Sequence, residues 1–158
     1  MRSYTFILFI LLGVLFQLSF GCEELTLAIF KPDLMQSPHL DTVEELIYSS
    51  GLTILDSKVT HLSEGDVSEF YFEHRPKPFF NELISFMTEG PVKILVLKGH
   101  NAIEQWDLLK YRIRNDYGAS LTRNLVHGSD SEWTSKREVC FFFPEMINYY
   151  DNKERDLF

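Results

Sequence analysis

Apolar and polar positions along the chain change period several times. Leu25 to Phe30 (LTLAIF) is an apolar run that empties into Lys31-Pro32-Asp33, which predicts a core strand followed by a turn. After Ser37-Pro38, Val43, Leu46 and Ile47 fall at helical spacing, and Gly51 supplies a stop. Leu52 to Val59 predicts a second strand. Ser63 and Asp66 stand at capping-box spacing ahead of Val67, Phe70 and Tyr71, and Phe80, Leu83, Ile84 and Met87 form a helical stripe that ends at Gly90-Pro91. Val92 to Leu97 (VKILVL) is the most continuous apolar strand and is expected at the centre of a sheet. Ile103, Trp106 and Leu109 return to a helical period, a polar stretch runs from Lys110 to Ser120, and Leu125-Val126 predicts a brief strand. Ser131 to Phe143 predicts a last helix with Val139, Cys140 and Phe143 inward.

About six alternating elements in one small domain, without internal repeats, suggest an α+β fold: a ferredoxin-like βαββαβ sandwich with helices on one sheet face. The residues before Cys22 stand apart. Phe6 to Leu18 reads FILFILLGVLFQL, no charge falls between Arg2 and Glu23, and Ser19-Phe20-Gly21 has the small-x-small form of a signal-peptidase site. Residues 1–21 are therefore expected to be a signal peptide cleaved after Gly21, with an uncleaved membrane anchor as the competing reading. An Arg-rich amphipathic mitochondrial presequence is a poor match, because only Arg2 is available.

Composition narrows the function classes. The 158 residues are 45% hydrophobic and carry a formal charge of −8, which argues against nucleic acid as the main partner but leaves room for a small anion in a local basic pocket. Cys22 and Cys140 permit one internal bridge at most, so neither a disulfide scaffold nor a zinc module fits.

Chemistry concentrates in Arg123-Asn124-Leu125-Val126-His127-Gly128-Ser129-Asp130-Ser131, with Glu138 eleven positions after the histidine. A neutral imidazole can attack phosphorus through one ring nitrogen while a partner such as Glu138 fixes its tautomer through the other. Gly128 permits close approach of backbone to ligand, and Ser129 offers a hydroxyl beside the ring. Spacing alone also allows a plain polar turn, in which Ser131 or Asp130 caps a helix and His127 is a satisfied histidine.

The run N-L-V-H-G-S-D-S with Glu138 resembles the active-site signature of nucleoside diphosphate kinases. The resemblance extends over Lys31-Pro32-Asp33, Pro78-Phe79-Phe80, Glu89-Gly90-Pro91-Val92 and Phe142-Phe143-Pro144, and is closest to the divergent nucleoside diphosphate kinase 6 branch. It implies a ferredoxin-like sandwich, an antiparallel sheet with helices on its faces, over residues 22–158. It also implies transfer of the γ-phosphoryl of a nucleoside triphosphate to a nucleoside diphosphate through phospho-His127. Glu138 would then orient the ring, with Ser129 and Tyr71 beside it. Lys31 would meet phosphate and ribose, Asn124 the ribose, Phe79 and Leu121 the base, and Arg114 the terminal phosphates. Mg²⁺ would enter on the nucleotide rather than in a protein cage.

Two departures from the family pattern bear on activity. Aligning from Asn101 places Asp107 where the family has an arginine, and the following loop, which supplies a threonine to the phosphates and contributes to subunit contacts, is missing between Leu109 and Arg112. Arg112 and Lys110 are the candidate replacements. Three readings follow: a kinase whose activity is reduced by these changes, a weakened or inactive relative acting as a nucleotide- or partner-binding module, or, from the leader, a secreted protein whose sandwich is only structural. Nucleoside triphosphates and diphosphates are the expected partners, the oligomeric state is open, and a membrane is involved only if the leader stays attached. The leader points to the secretory route or a membrane anchor, whereas the resemblance suggests a cytoplasmic or mitochondrial protein.

Overall fold

The structure, a computed structural model, describes residues 23–155. The expected leader and Cys22 lie outside the described residues. Four strands form one antiparallel sheet: β1 (Glu23–Phe30), β2 (Thr53–Thr60), β3 (Val92–His100) and β4 (Val126–Gly128). Their order is β2-β3-β1-β4, with β1 paired to both β3 and β4. Between them run α1 (Pro32–Met35), α2 (Leu40–Ser49), α3 (Glu64–Phe70), α4 (Phe80–Thr88), α5 (Ala102–Tyr117), α6 (Glu132–Phe142) and α7 (Ile147–Arg155).

Helices cover both faces of the sheet, not one as the alternation alone suggests. Leu25, Leu27 and Ile29 of β1 pack with Ile94 and Val96 of β3 against Phe70, Leu83, Phe86 and Val139, contributed by α3, α4 and α6. The alternate residues Ala28 and Phe30, with Leu95 and Leu97, pack against Val43, Ile47, Trp106 and Ile113 of α2 and α5. A strand buried on two faces needs apolar side chains at successive positions, which is why β1 and the start of β3 read as runs rather than alternations. Edge strand β2 has no fully buried residue, and Ser57, Lys58 and Val59 are exposed in succession, as expected of a strand at the margin of the sheet.

The capping boxes are real. Ser63 Oγ accepts from the Asp66 amide and Asp66 returns the bond to the Ser63 amide, while Ser131 and Thr134 do the same for α6. Two elements differ from the sequence reading. α5 continues through Lys110 to Tyr117, across the start of the polar stretch that follows the apolar spacing, and α6 stops at Phe142, leaving Phe143 as its C-cap.

Candidate active site

The histidine's position follows from register. β4 lies antiparallel to β1 with His127 opposite Ile29, so the imidazole projects onto the face covered by α3, α4 and α6. Val126, opposite Phe30, turns to the other core. The Phe70 and Tyr71 rings meet the imidazole edge-on at 5.3 and 5.5 Å. On its other side lies Glu138 of α6, whose Oε2 is 3.0 Å from His127 Nε2 and accepts a 2.7 Å bond from Ser129 Oγ. With Nε2 engaged by the carboxylate, Nδ1 is the nitrogen left to react.

Burial lowers the His127 pKa below the ordinary value, with Glu138 opposing and Lys31 and Lys110 adding to the effect. Burial pushes Glu138 up, yet bonds from His127 and Ser129 and the Arg137 charge outweigh it and hold the carboxyl below its usual range. The pair is thus a neutral imidazole against a carboxylate, the protonation state a nucleophilic histidine requires.

The strand carrying His127 is held from behind by one stripe of α5. Trp106 Nε1 donates to the His127 carbonyl at 3.1 Å, Lys110 Nζ to the Gly128 carbonyl at 3.4 Å, and Arg114 to the Val126 carbonyl through Nε (3.1 Å) and Nη2 (2.7 Å). These residues are four apart, the spacing that stacks side chains on one helix face. Gly128 serves this packing: a β-carbon there would lie 2.3 Å from the Trp106 indole, so the glycine is required by the approach of that side chain.

Ahead of the histidine the backbone is strained. Leu125 has φ +73°, with the Val126 amide donating to the Asn124 carbonyl at 2.8 Å, a tight turn that L-residues rarely adopt. Asp33 Oδ2 accepts from the Leu125 amide (3.1 Å), and the Leu125 carbonyl accepts from the Lys31 amide (2.8 Å). The Lys31-Pro32-Asp33 segment therefore holds this turn through both polar groups of one residue.

Lys31 is buried and donates to Asn124 Oδ1 at 2.6 Å and to the Thr122 carbonyl at 3.1 Å. Burial, with Arg114 and Lys110 near, pushes its pKa down to about 7 against the pull of Asp33. The Tyr71 hydroxyl is buried and bonds to no described group, and burial followed by the Glu138 charge raises its pKa. Phe79 is half-buried, its ring 5.7 Å from that of His74 at a steep angle, and Leu121 stands 89% exposed.

Of the two candidate replacement cations, the structure brings Lys110 to the site and not Arg112. Lys110 is buried, and besides the Gly128 carbonyl it pairs with Asp107 (2.7 Å) and Asp130 (2.6 Å). Arg112 is exposed and faces Asp116 at 3.7 Å. Sequence reasoning missed the bracing role of Trp106, the buried Thr122 and Arg137 beside Glu138. In the sequence Trp106 is one apolar position of a helical stripe, and nothing in its spacing signals the bond its indole makes.

The nucleoside diphosphate kinase family model matches residues 24–147. The chain belongs to the nucleoside diphosphate kinase family. The nucleoside diphosphate kinase of Polynucleobacter necessarius is 42% identical over 133 residues, covering 78% of this chain and 94% of that protein. That of Burkholderia ambifaria is 41% identical over 136 residues, covering 80% and 96%. Among solved structures, the Aquifex aeolicus nucleoside diphosphate kinase superposes with a TM-score of 0.70 at 32% identity, covering 77% of this chain and 96% of that one. The halophilic nucleoside diphosphate kinase from Halobacterium salinarum, solved in complex with CDP, gives 0.72 at 35%, covering 77% and 88%. The kinase 6 branch rests on the sequence resemblance alone. Family membership points to a divalent metal cation in the reaction.

Proposed function

We propose that the chain works as a nucleoside diphosphate kinase in which His127 Nδ1 takes the γ-phosphoryl group of a nucleoside triphosphate and returns it to a nucleoside diphosphate. The observation that carries this reading is the Glu138 bridge between His127 Nε2 and Ser129 Oγ, which fixes the ring with Nδ1 free. In the first half-reaction Nδ1 attacks the γ-phosphorus, the bond to the β–γ bridging oxygen breaks, and the nucleoside diphosphate leaves with that electron pair. The second half-reaction runs the same steps backward with another diphosphate. As positive charge grows on the imidazole, the Glu138 carboxylate stabilises it through Nε2–H.

Three cationic side chains, Lys31, Lys110 and Arg114, lie around the histidine. Lys31 and Arg114 keep donors that their protein partners do not use and that phosphate oxygens could take, whereas the three donors of Lys110 go to the Gly128 carbonyl, Asp107 and Asp130, so Lys110 contributes its charge. The Tyr71 hydroxyl is a buried donor with no acceptor in the described residues, and a phosphoryl oxygen would satisfy it. Asn124 lies next to Lys31 for the ribose, and Phe79 and Leu121 offer apolar surface to the base, a contact that discriminates weakly between bases. Mg²⁺ would enter with the nucleotide and neutralise part of the phosphate charge, held by the substrate rather than by a protein cage.

The test is to incubate the purified full chain with γ-labelled ATP and Mg²⁺ and look for acid-labile, base-stable label. Label is expected on wild type and absent from His127→Ala. Label surviving that substitution overturns the assignment of His127, and none on wild type favours the non-enzymatic relative.

A further inference from the structure

Arg137 has no part in the phosphate chemistry above, yet it is tied to the nucleophile's partner. Its Nη2 donates to Glu138 Oε1 at 3.1 Å, and its Nη1 donates to the carbonyl of Phe70, the last residue of α3, at 3.2 Å. Consecutive residues on a helix point about 100° apart and do not ordinarily meet. Here the guanidinium is turned back by a cage of rings: it lies 5.2 Å from the centre of Phe72 and 5.7 Å from both Phe70 and Trp133. Flat faces of this kind attract and orient a planar cation.

The carboxylate is thereby divided. Oε1 goes to Arg137, and Oε2 to Ser129 and His127. The same guanidinium joins α6, which carries Glu138, to the end of α3, whose Phe70 and Tyr71 rings form the opposite wall of the imidazole.

We propose that Arg137 is a positioning residue for the nucleophile: it fixes the plane of the Glu138 carboxylate, and its charge limits how strongly that carboxylate draws a proton onto His127. The groups that bear on the imidazole's protonation are Glu138 from α6, Lys31 from the turn after β1, Lys110 from α5, Tyr71 with His74 stacked on it, and Asp130 beyond β4. Arg137 acts through the first of these. It is the cation bonded to Glu138, whereas Lys110 is paired to Asp107 and Asp130 and Lys31 to Asn124.

The experiment is an NMR titration of the His127 ring in the full chain without nucleotide, with its signals identified by their loss in His127→Ala. Arg137→Leu, which keeps apolar bulk among the rings, is expected to raise the His127 midpoint by about half a pH unit or more, because an unneutralised carboxylate favours imidazolium. The acid limb of the labelling rate with ATP should move up equally, and the plateau should fall by roughly tenfold. Arg137→Lys should restore the midpoint but not the plateau, since it keeps the charge and loses the fork. A purely structural role would lower the rate at every pH and leave the midpoint alone. A folded Arg137→Leu protein with the wild-type midpoint overturns the proposal, and Arg137→Gln carries the same test should the leucine variant not fold. The proposal rests on the kinase reading only for the rate: absence of label condemns that reading, while the nucleotide-free midpoint still decides the role of Arg137.

Discussion

The indole of Trp106 occupies the space that a side chain on Gly128 would need, 2.3 Å from where a β-carbon would stand. Trp106 is fully buried and hydrogen-bonded to the His127 carbonyl, so it has no room to retreat. Gly128→Ala is expected to destabilise the fold by about 1–3 kcal/mol, the usual range for forcing atoms into a packed core. It should also shift β4 and slow phosphorylation of His127. Urea unfolding followed by tryptophan fluorescence checks the first effect, and the labelling rate the second.

Leu125 makes a different demand on the backbone. Its side chain is buried, so shortening it to alanine leaves a cavity, and glycine would ordinarily be worse still. At φ +73° the order should reverse, because glycine alone relieves a strain of about 1–3 kcal/mol. Leu125→Gly is expected to be more stable than Leu125→Ala in parallel denaturant titrations. The ordinary order would show that the turn is not strained.

Lys31 should couple nucleotide binding to protons. With a pKa held at about 7 by burial, it is mostly neutral at pH 8, and an arriving phosphate favours its charged form. Binding of a nucleoside triphosphate analogue at pH 8 is expected to take up close to one proton, seen by calorimetry in buffers of different ionisation enthalpy. Affinity should fall as pH rises above 7, and Lys31→Met should abolish the uptake. Without ligand, the unfolded chain binds a proton at this residue between about pH 7 and its ordinary 10.5 that the folded chain does not. The residue's contribution to stability therefore rises with pH across that window and is least favourable below it.

Asp107 holds Lys110 and adds a negative charge beside the phosphate cations. Because Asp107 is more than half exposed, solvent screens most of the direct repulsion, leaving about 0.5–1 kcal/mol. Asp107→Asn is expected to tighten nucleoside triphosphate binding by roughly two- to fivefold and raise the labelling rate by a similar factor. Unchanged affinity in a folded variant would mean that Lys110 is committed to Asp130 alone.

The strands and most of the helices are legible in the sequence because burial on two faces writes β1 and β3 as apolar runs, and Ser63 and Ser131 mark their helix starts chemically. The second half of α5 is not legible. Its inward positions include Lys110 and Arg114, whose polar ends face the carbonyls of β4, so a helix face that is in fact half-buried looks like a solvated loop. The pairing of His127 with Glu138 is what the family resemblance implies and spacing alone leaves open, whereas the Trp106 brace, the Leu125 turn and the Arg137 cage depend on contacts between segments distant in the chain or on backbone angles, neither of which leaves a local pattern. The four-residue α1 has too few residues to show a period at all.

The side chains of Trp106, Lys110 and Arg114 also bear on how copies of this sheet can grow. All three carbonyls of β4 accept from α5. A further strand arriving at that margin would find its acceptors already taken and a helix in the way, so the sheet is sealed on the nucleophile's side. Among the described residues, β2, with the opposite margin and exposed Leu55 and Val59, is the edge left open to strand addition. Any lateral pairing between sheets would thus begin with His127 at the far end, turned away from the join.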